Sequence, residues 1–190
     1  MMRIIAGTHR GRKIFSVPKD KFVKPISARI RQSFFDIVRP YVTGAVMLDL
    51  YAGVGLLGLC VAASGRHEVV AVEGDDASAA DLDVNASPLG AAVRVERTRV
   101  ERFVARWRPR APFTLVLDPP RSGMTREAAA GAIALKAVRV VFVSCDVATL
   151  ARDLRRFLDA GSRLDSVQGF DLFPATTPVE AHARPSPPSH

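Results

Sequence analysis

Gly53, Gly55 and Gly58 stand behind a short apolar run, Val46-Met-Leu-Asp-Leu50, in the spacing G-x-G-x-x-G. Apolar residues at helical spacing follow to about Ala63. A strand, a tight turn and a helix form the context in which this pattern lets backbone approach a ligand's phosphates or ribose. Two acids strengthen the reading. Asp49 precedes the glycines, and Glu73 ends the next apolar run, Val69–Val72, at the distance where a carboxylate reaches a ribose. Glycines alone fit an ordinary strand-to-helix turn equally well; with the acids they point to a nucleoside-containing cofactor. Two further run ends carry unusual residues. Leu117-Asp-Pro-Pro-Arg-Ser-Gly123 is a rigid turn whose prolines leave carbonyls free for a ligand. Val143-Ser-Cys-Asp146 sets Cys145 at a strand end, as a small buried filler or as a thiol facing a cleft. Cys60, on the helix behind the glycines, reads as filler.

The elements that must position these residues alternate. Strand patterns at 46–50, 69–72, 93–95, 113–117 and 138–144 are separated by helical patterns at 76–86, 100–107 and 148–158. Alternation of this kind predicts an α/β fold with a mostly parallel sheet and helices on both faces. Ligands of such sheets gather at the carboxyl ends of the strands, where the unusual residues lie. Ahead of this body, 3–6 and 12–16 read as a hairpin with a basic tip. Ser27 to Val38 read as a helix with Ile30, Phe34, Ile37 and Val38 on one face. The Pro/Ser-rich segment from Ala181 to His190 reads as disordered.

A chain of 190 residues with 48% hydrophobic residues is most simply one globular domain with a small appendage. No apolar run approaches the ~20 residues of a membrane span, and no secretory signal opens the chain. Two separated cysteines make no disulfide framework and fit a reducing, cytoplasmic setting. Nothing predicts a metal. The net charge is +8, and residues 1–40 hold ten Lys or Arg against two Asp, so the other 150 are neutral overall. A basic lobe on a neutral body is an electrostatic footprint for phosphates. Arg10, Arg12, Lys13, Lys24, Arg29 and Arg31 are its candidate contacts to a phosphate backbone, which the resemblances below imply to be RNA.

Asp49-Leu-Tyr-Ala-Gly-Val-Gly55, an acid at the next strand end and Asp118-Pro-Pro120 resemble the class I S-adenosylmethionine-dependent methyltransferases. That resemblance implies a seven-stranded Rossmann-like sheet and S-adenosyl-L-methionine as cofactor. It implies Asp49, Tyr51, Gly53, Gly55, Glu73, Asp118 and Pro119 as cofactor contacts. It also divides the chain into a hairpin extension (1–24), a methyltransferase domain (25–183) and a tail (184–190).

Two families share the rest. Arg3-Ile-Ile-Ala-Gly-Thr-His-Arg-Gly-Arg-Lys13 and Lys24-Pro-Ile-Ser-Ala-Arg-Ile-Arg-Gln-Ser-Phe-Phe-Asp-Ile-Val38 resemble the opening of bacterial enzymes that methylate a guanine exocyclic amine in small-subunit ribosomal RNA. Asp118-Pro-Pro-Arg-Ser-Gly123, Val143-Ser-Cys-Asp-Val-Ala-Thr-Leu-Ala-Arg-Asp-Leu154 and Phe173-Pro-Ala-Thr-Thr-Pro-Val-Glu180 resemble the RNA uridine carbon-5 methyltransferases.

The second resemblance implies Cys145 as nucleophile and Glu180 as general base, with Asp118 in the catalytic turn and Pro120 and Arg121 against the RNA. The implied partner is ribosomal RNA or a ribosomal assembly particle. The amine methylases carry an aromatic after Asp-Pro-Pro to stack on the base, and here Arg121 stands there. The uridine family carries Asn-Pro after its cysteine and His two residues before its Glu; here Asp146-Val147 and Pro178 stand there, and Arg99 stands about where an acid near the adenine is expected. The residues favour uridine carbon 5 slightly over the guanine amine, and a non-catalytic RNA-binding factor is the alternative from another class.

Overall fold

The computed structural model describes residues 2–3, 13–14, 46–65, 68–171 and 179–186. The expected helix at 27–38, the hairpin tip at 7–11 and five of the candidate RNA contacts (Arg10, Arg12, Lys24, Arg29 and Arg31) lie outside the described residues. Strands β1 (Met2–Arg3) and β2 (Lys13–Ile14) pair antiparallel, with Arg3 opposite Lys13.

The body alternates strand and helix. It runs through β3 (Val46–Leu50), α1 (Leu56–Ala63), β4 (Glu68–Glu73), α2 (Asp76–Ala86), β5 (Val93–Arg97) and α3 (Val100–Arg106). It continues through β6 (Phe113–Leu117), α4 (Arg126–Ala134), β7 (Arg139–Ser144), α5 (Val147–Asp159), β8 (Arg163–Asp171) and β9 (Val179–Ser186). The sheet order is β5-β4-β3-β6-β7-β9-β8, and the five strands from β5 to β7 are parallel. The chain starts in the middle at β3, winds outward through β4 and β5, then returns to β6. The crevice between β3 and β6 is therefore the topological switch point, where ligands of open α/β sheets bind.

Period-two alternation builds two cores. Met47, Val69, Ala71, Val116 and Val141 face one side of the sheet with α1 and the buried Leu82 and Ala86 of α2. Leu48, Leu50, Val70, Val72, Leu115, Leu117 and Phe142 face the other with α3, α4 and α5. Strands buried on both faces read as continuous apolar runs, which is why 46–50 and 113–117 are legible as core strands. Helix α1 is buried at all of its positions. Each of its leucines contributes about 1.5–3 kcal/mol to holding the glycine turn against the sheet.

Two parts differ from expectation. Helix α4 is absent from the sequence reading because its buried face is Ala128, Ala129 and Ala132, which leave no strong apolar period. Thr125 caps it by accepting from Ala128 N–H at 3.1 Å. The tail expected to be disordered from Ala181, with 184–190 outside the domain, is corrected: β9 runs to Ser186 and lies between β7 and β8. Its ladders with both neighbours supply what its composition does not. Pro185, which has no N–H to give, sits beyond the stretch paired with β7 (Ala181–Ala183) and opposite Leu164 of β8. Among the described residues no helix is long and apolar enough to cross a membrane.

Candidate active site at the carboxyl ends of the strands

The turn after β3 is built from left-handed residues. Tyr51 (φ 65°), Gly53 (φ 55°) and Gly55 (φ 91°) lie within five positions. A non-glycine in this region costs about 1–2 kcal/mol, and such strain persists where the surroundings over-determine it. Here the Ala52 N–H donates to Val72 O at 3.0 Å, and the Gly55 N–H to Ala52 O at 2.8 Å. The Tyr51 ring packs against the core on the α3–α5 side, and its hydroxyl has no hydrogen-bond partner among the described residues. Burial, then the charges of Glu101 and Asp153, push the phenol's pKa up.

Glu73 closes the turn from the neighbouring strand. Its Oε2 accepts from Gly53 N–H at 2.8 Å and its Oε1 from Asp75 N–H at 2.7 Å. Both loops at this end of the crevice thus hang on one half-buried carboxylate. A side-chain carbon added at Gly53 would meet no atom of the described residues within 4 Å, so among them the turn faces open space on that side. A carboxylate acceptor at the end of β4 beside an open glycine turn fits a nucleoside's ribose diol. Arg99 backs the same corner, its Cα 3.1 Å from where a Cβ of Gly74 would lie.

Asp49 does something other than expected. It is 1% exposed, and its Oδ2 accepts from Gly58 N–H at 3.0 Å while Oδ1 has no partner among the described residues. A Cβ at Gly58 would lie 2.8 Å from that Oδ2, so only glycine admits the contact. Burial raises the carboxyl to about 7 against the pull of the Gly58 bond, and the Glu73 charge adds to the rise. This acid, expected as a cofactor contact, is enclosed beneath the turn and ties it to the start of α1.

Across the switch point, Asp118 N–H donates to Leu50 O at 3.4 Å, joining the ends of β3 and β6. Pro119 is buried, while Pro120 and Arg121 are exposed in a turn closed by Gly123 N–H on Pro120 O at 2.7 Å. The loop is clamped from α5 by a residue the sequence reading passed over. Asp153, 1% exposed, accepts from Met124 N–H through Oδ2 at 2.7 Å. Its Oδ1 accepts from Arg152 and Arg156, each at 3.0 Å, and those arginines also donate to Ser122 O (2.9 Å) and Met124 O (3.0 Å) respectively. The signal was present: Leu150, Leu154 and Phe157 define the buried face of α5, and position 153 falls on it with arginines one before and three after.

The same helix begins beside Cys145. Asp146 is its N-cap, accepting from Thr149 N–H at 2.8 Å. Backbone and side-chain hydrogen bonds from Thr149 hold its carboxyl below the usual range, with further help from Ala148 N–H and the Arg121 charge. Asp and Asn cap equally well, so Asp146 does the structural work of the Asn usual in the uridine family. Cys145 is half-buried, a free thiol at the end of β7. In the β7–β9 ladder Phe142, Val143 and Ser144 pair with Ala183, His182 and Ala181, so Cys145 and Glu180 adjoin the last registered pair. Residues 35 apart in sequence are thereby brought to one corner of the sheet. Lys13 is described only as a backbone position in β2.

An open parallel sheet with an antiparallel pair at one edge, a glycine turn and an Asp-Pro-Pro loop across its switch point is the class I methyltransferase fold. The chain belongs to the family described as conserved hypothetical protein 95, whose model matches residues 2–151. An uncharacterized RNA methyltransferase of Streptomyces coelicolor is 37% identical over 142 residues, 74% of this chain and 31% of the relative. The chain spans about a third of the length of the curated relatives it matches.

Among solved structures, a candidate methyltransferase of Escherichia coli superposes with a TM-score of 0.76 at 24% identity, covering 99% of both chains. The tRNA (uracil-54, C5)-methyltransferase of Pyrococcus abyssi, in complex with S-adenosyl-L-homocysteine, superposes with a TM-score of 0.72 at 25% identity. That match covers 87% of this chain and 40% of the other.

Proposed function

We propose that this protein is an S-adenosylmethionine-dependent RNA methyltransferase acting on carbon 5 of a uridine in ribosomal RNA. Its relatives are named RNA methyltransferases, and the Pyrococcus neighbour is a uracil carbon-5 enzyme with the demethylated cofactor bound. The observation that carries the carbon-5 reading is the position of Cys145 and Glu180 in the backbone, each next to the Ser144–Ala181 pair that ends the β7–β9 ladder.

Glu73 and the Gly53–Gly55 turn would hold the cofactor's nucleoside, with Asp118 and Pro119 on the opposite wall. When bound, the cofactor supplies an electrophilic methyl group. The protein's task is to make carbon 5 nucleophilic, which uridine by itself is not. The Cys145 thiolate adds to carbon 6, and the electrons of the 5,6 double bond move into an enolate with carbon 5 as its nucleophilic end. Once carbon 5 carries the methyl group, Glu180 takes its proton. The electron pair returns to the 5,6 bond and the thiolate leaves. Arg121, close enough to lower the Asp146 carboxyl, offsets that acid's charge beside the thiol. Its place after Asp-Pro-Pro suits an anionic intermediate better than base stacking.

A second reading, transfer to a guanine exocyclic amine, is favoured by the family match beginning at residue 2, over the part that resembles the ribosomal guanine enzymes. It needs no thiol. Mass spectrometry of ribosomal RNA nucleosides from cells with and without the gene separates the two. Loss of 5-methyluridine supports the proposal, loss of a methylguanosine replaces it with the second reading, and an unchanged profile removes both.

A further inference from the structure

The end of the sheet opposite the candidate site holds a second cationic surface. Residues 94–110 contain seven arginines and two glutamates, so the body, neutral overall, is strongly segregated in charge. A cleft of about 630 Å³ opens there at the amino ends of β3, β4 and β6, beside the start of β5. Its floor is Val46, Val70 and Phe103, and its rim carries Arg94, Arg106, Arg108 and Arg110 against one exposed carboxylate, Glu68.

Trp107, half-buried in its wall, is fixed by stacking on Phe103 (5.6 Å between centroids, 26° between planes) and by an edge contact to Phe113 at 5.0 Å. Glu96 holds two of the rim charges, Arg94 through Oε1 and Arg106 through Oε2 at 2.9 Å. Arg108 is tied by one guanidinium nitrogen to Ala105 O (3.0 Å) and Trp107 O (2.9 Å), which fixes the group without neutralising it. Arg110 makes no ion pair among the described residues.

We infer that this cleft is a second RNA-backbone contact, reading phosphates at the end of the sheet away from the target base. The inference rests on the proposed RNA methyltransferase function. Planar guanidiniums beside a rigid indole are the equipment of grooves that follow a phosphodiester chain, where charge supplies affinity and an aromatic edge supplies contact. Contacts of this kind set register rather than sequence. They suit a protein whose target nucleotide enters elsewhere. Five-residue strands put the two ends roughly 17 Å apart, a span a folded RNA bridges.

The test is fluorescence anisotropy of a fluorescein-labelled RNA stem-loop against the full chain across a salt series, with S-adenosylhomocysteine calorimetry on the same preparations. R108Q/R110Q should weaken RNA binding about tenfold at low salt and make the slope of log K against log salt shallower by about 1.5 to 2. Calorimetry should stay at the wild-type value. R110Q alone, which breaks no contact among the described residues, should give about half the change in slope if the double variant does not fold. Unchanged affinity and slope with cofactor binding intact would overturn the inference while leaving the proposed function standing. Equal competition by polyglutamate would overturn it in favour of an acidic protein partner. A wild-type protein that binds S-adenosylhomocysteine but no RNA would remove the proposed function, and this inference with it.

Discussion

The Gly53 N–H donates to Glu73 Oε2 at 2.8 Å across twenty residues of chain, and the other oxygen of that carboxylate takes the Asp75 N–H. One side chain thereby sets the shape of two strand-end loops before any ligand arrives. Glu73→Gln tests this. A glutamine has one acceptor oxygen where two backbone amides need two, so its NH₂ would face an N–H. We expect S-adenosylhomocysteine affinity to fall by about 2 kcal/mol or more, roughly thirtyfold, by calorimetry. Affinity within a factor of two of wild type would remove Glu73 from the cofactor site.

Asp49 makes the glycine turn sensitive to pH. Its carboxyl titrates near 3.8 when exposed and about 7 in the folded protein. The native state therefore binds more protons than the unfolded state between those values. Stability from this group is fully present below pH 4 and is lost as pH rises through 7. The span of the two values bounds the effect at about 4 kcal/mol. Asp49→Asn keeps an oxygen for the Gly58 N–H and cannot ionise. Urea unfolding at pH 5 and pH 8 should show the variant gaining on wild type at the higher pH. A constant difference between them would mean that Asp49 is charged throughout.

The glycine turn, Glu73 and the Asp-Pro-Pro loop were legible because each is local: an apolar run, then a residue type that such a run does not contain. The placing of Cys145 and Glu180 beside the same registered pair, Ser144 and Ala181, is not local. It depends on β9 entering between β7 and β8, and nothing in Val-Glu-Ala-His-Ala-Arg-Pro-Ser announces a strand flanked on both sides. Propensity there is weak, and pairing with partners far along the chain overrides it. Asp153 was hidden for a different reason. The apolar period of Leu150, Leu154 and Phe157 marks its helix, and an acid on the same face adds nothing to that period.

That acid carries the next prediction. Asp153→Ala would leave the Met124 N–H and two guanidiniums without their acceptor, a loss of about 3–5 kcal/mol in unfolding free energy. A gentler probe is Gly123→Ala. Its Cβ would collide with Arg152 Nη2 and lie 2.5 Å from Asp153 Oδ2, at a φ of 74° that alanine resists. We expect it to loosen the Pro120–Arg121 turn, raising KM for RNA at least as much as it lowers kcat, with S-adenosylhomocysteine affinity little changed. Loss of cofactor affinity equal to the loss of RNA affinity would mean the clamp supports the whole crevice and not the loop.

The sharpest test concerns Cys145. If its thiolate adds to carbon 6, an RNA carrying 5-fluorouridine should trap the protein, because no base can remove fluorine from carbon 5 as it removes a proton. A covalent RNA–protein band, stable to denaturant and dependent on S-adenosylmethionine, is expected for wild type and absent for Cys145→Ala. Glu180→Gln should accumulate the same kind of band on ordinary RNA, since addition and methylation proceed while proton removal does not. The two variants then fail at opposite sides of one intermediate. A structural cysteine and a surface carboxylate could not produce that pattern. Cys145→Ala transferring methyl groups at the wild-type rate, with no trapped species from any form, would end the thiol mechanism. The guanine amine would then remain as the target.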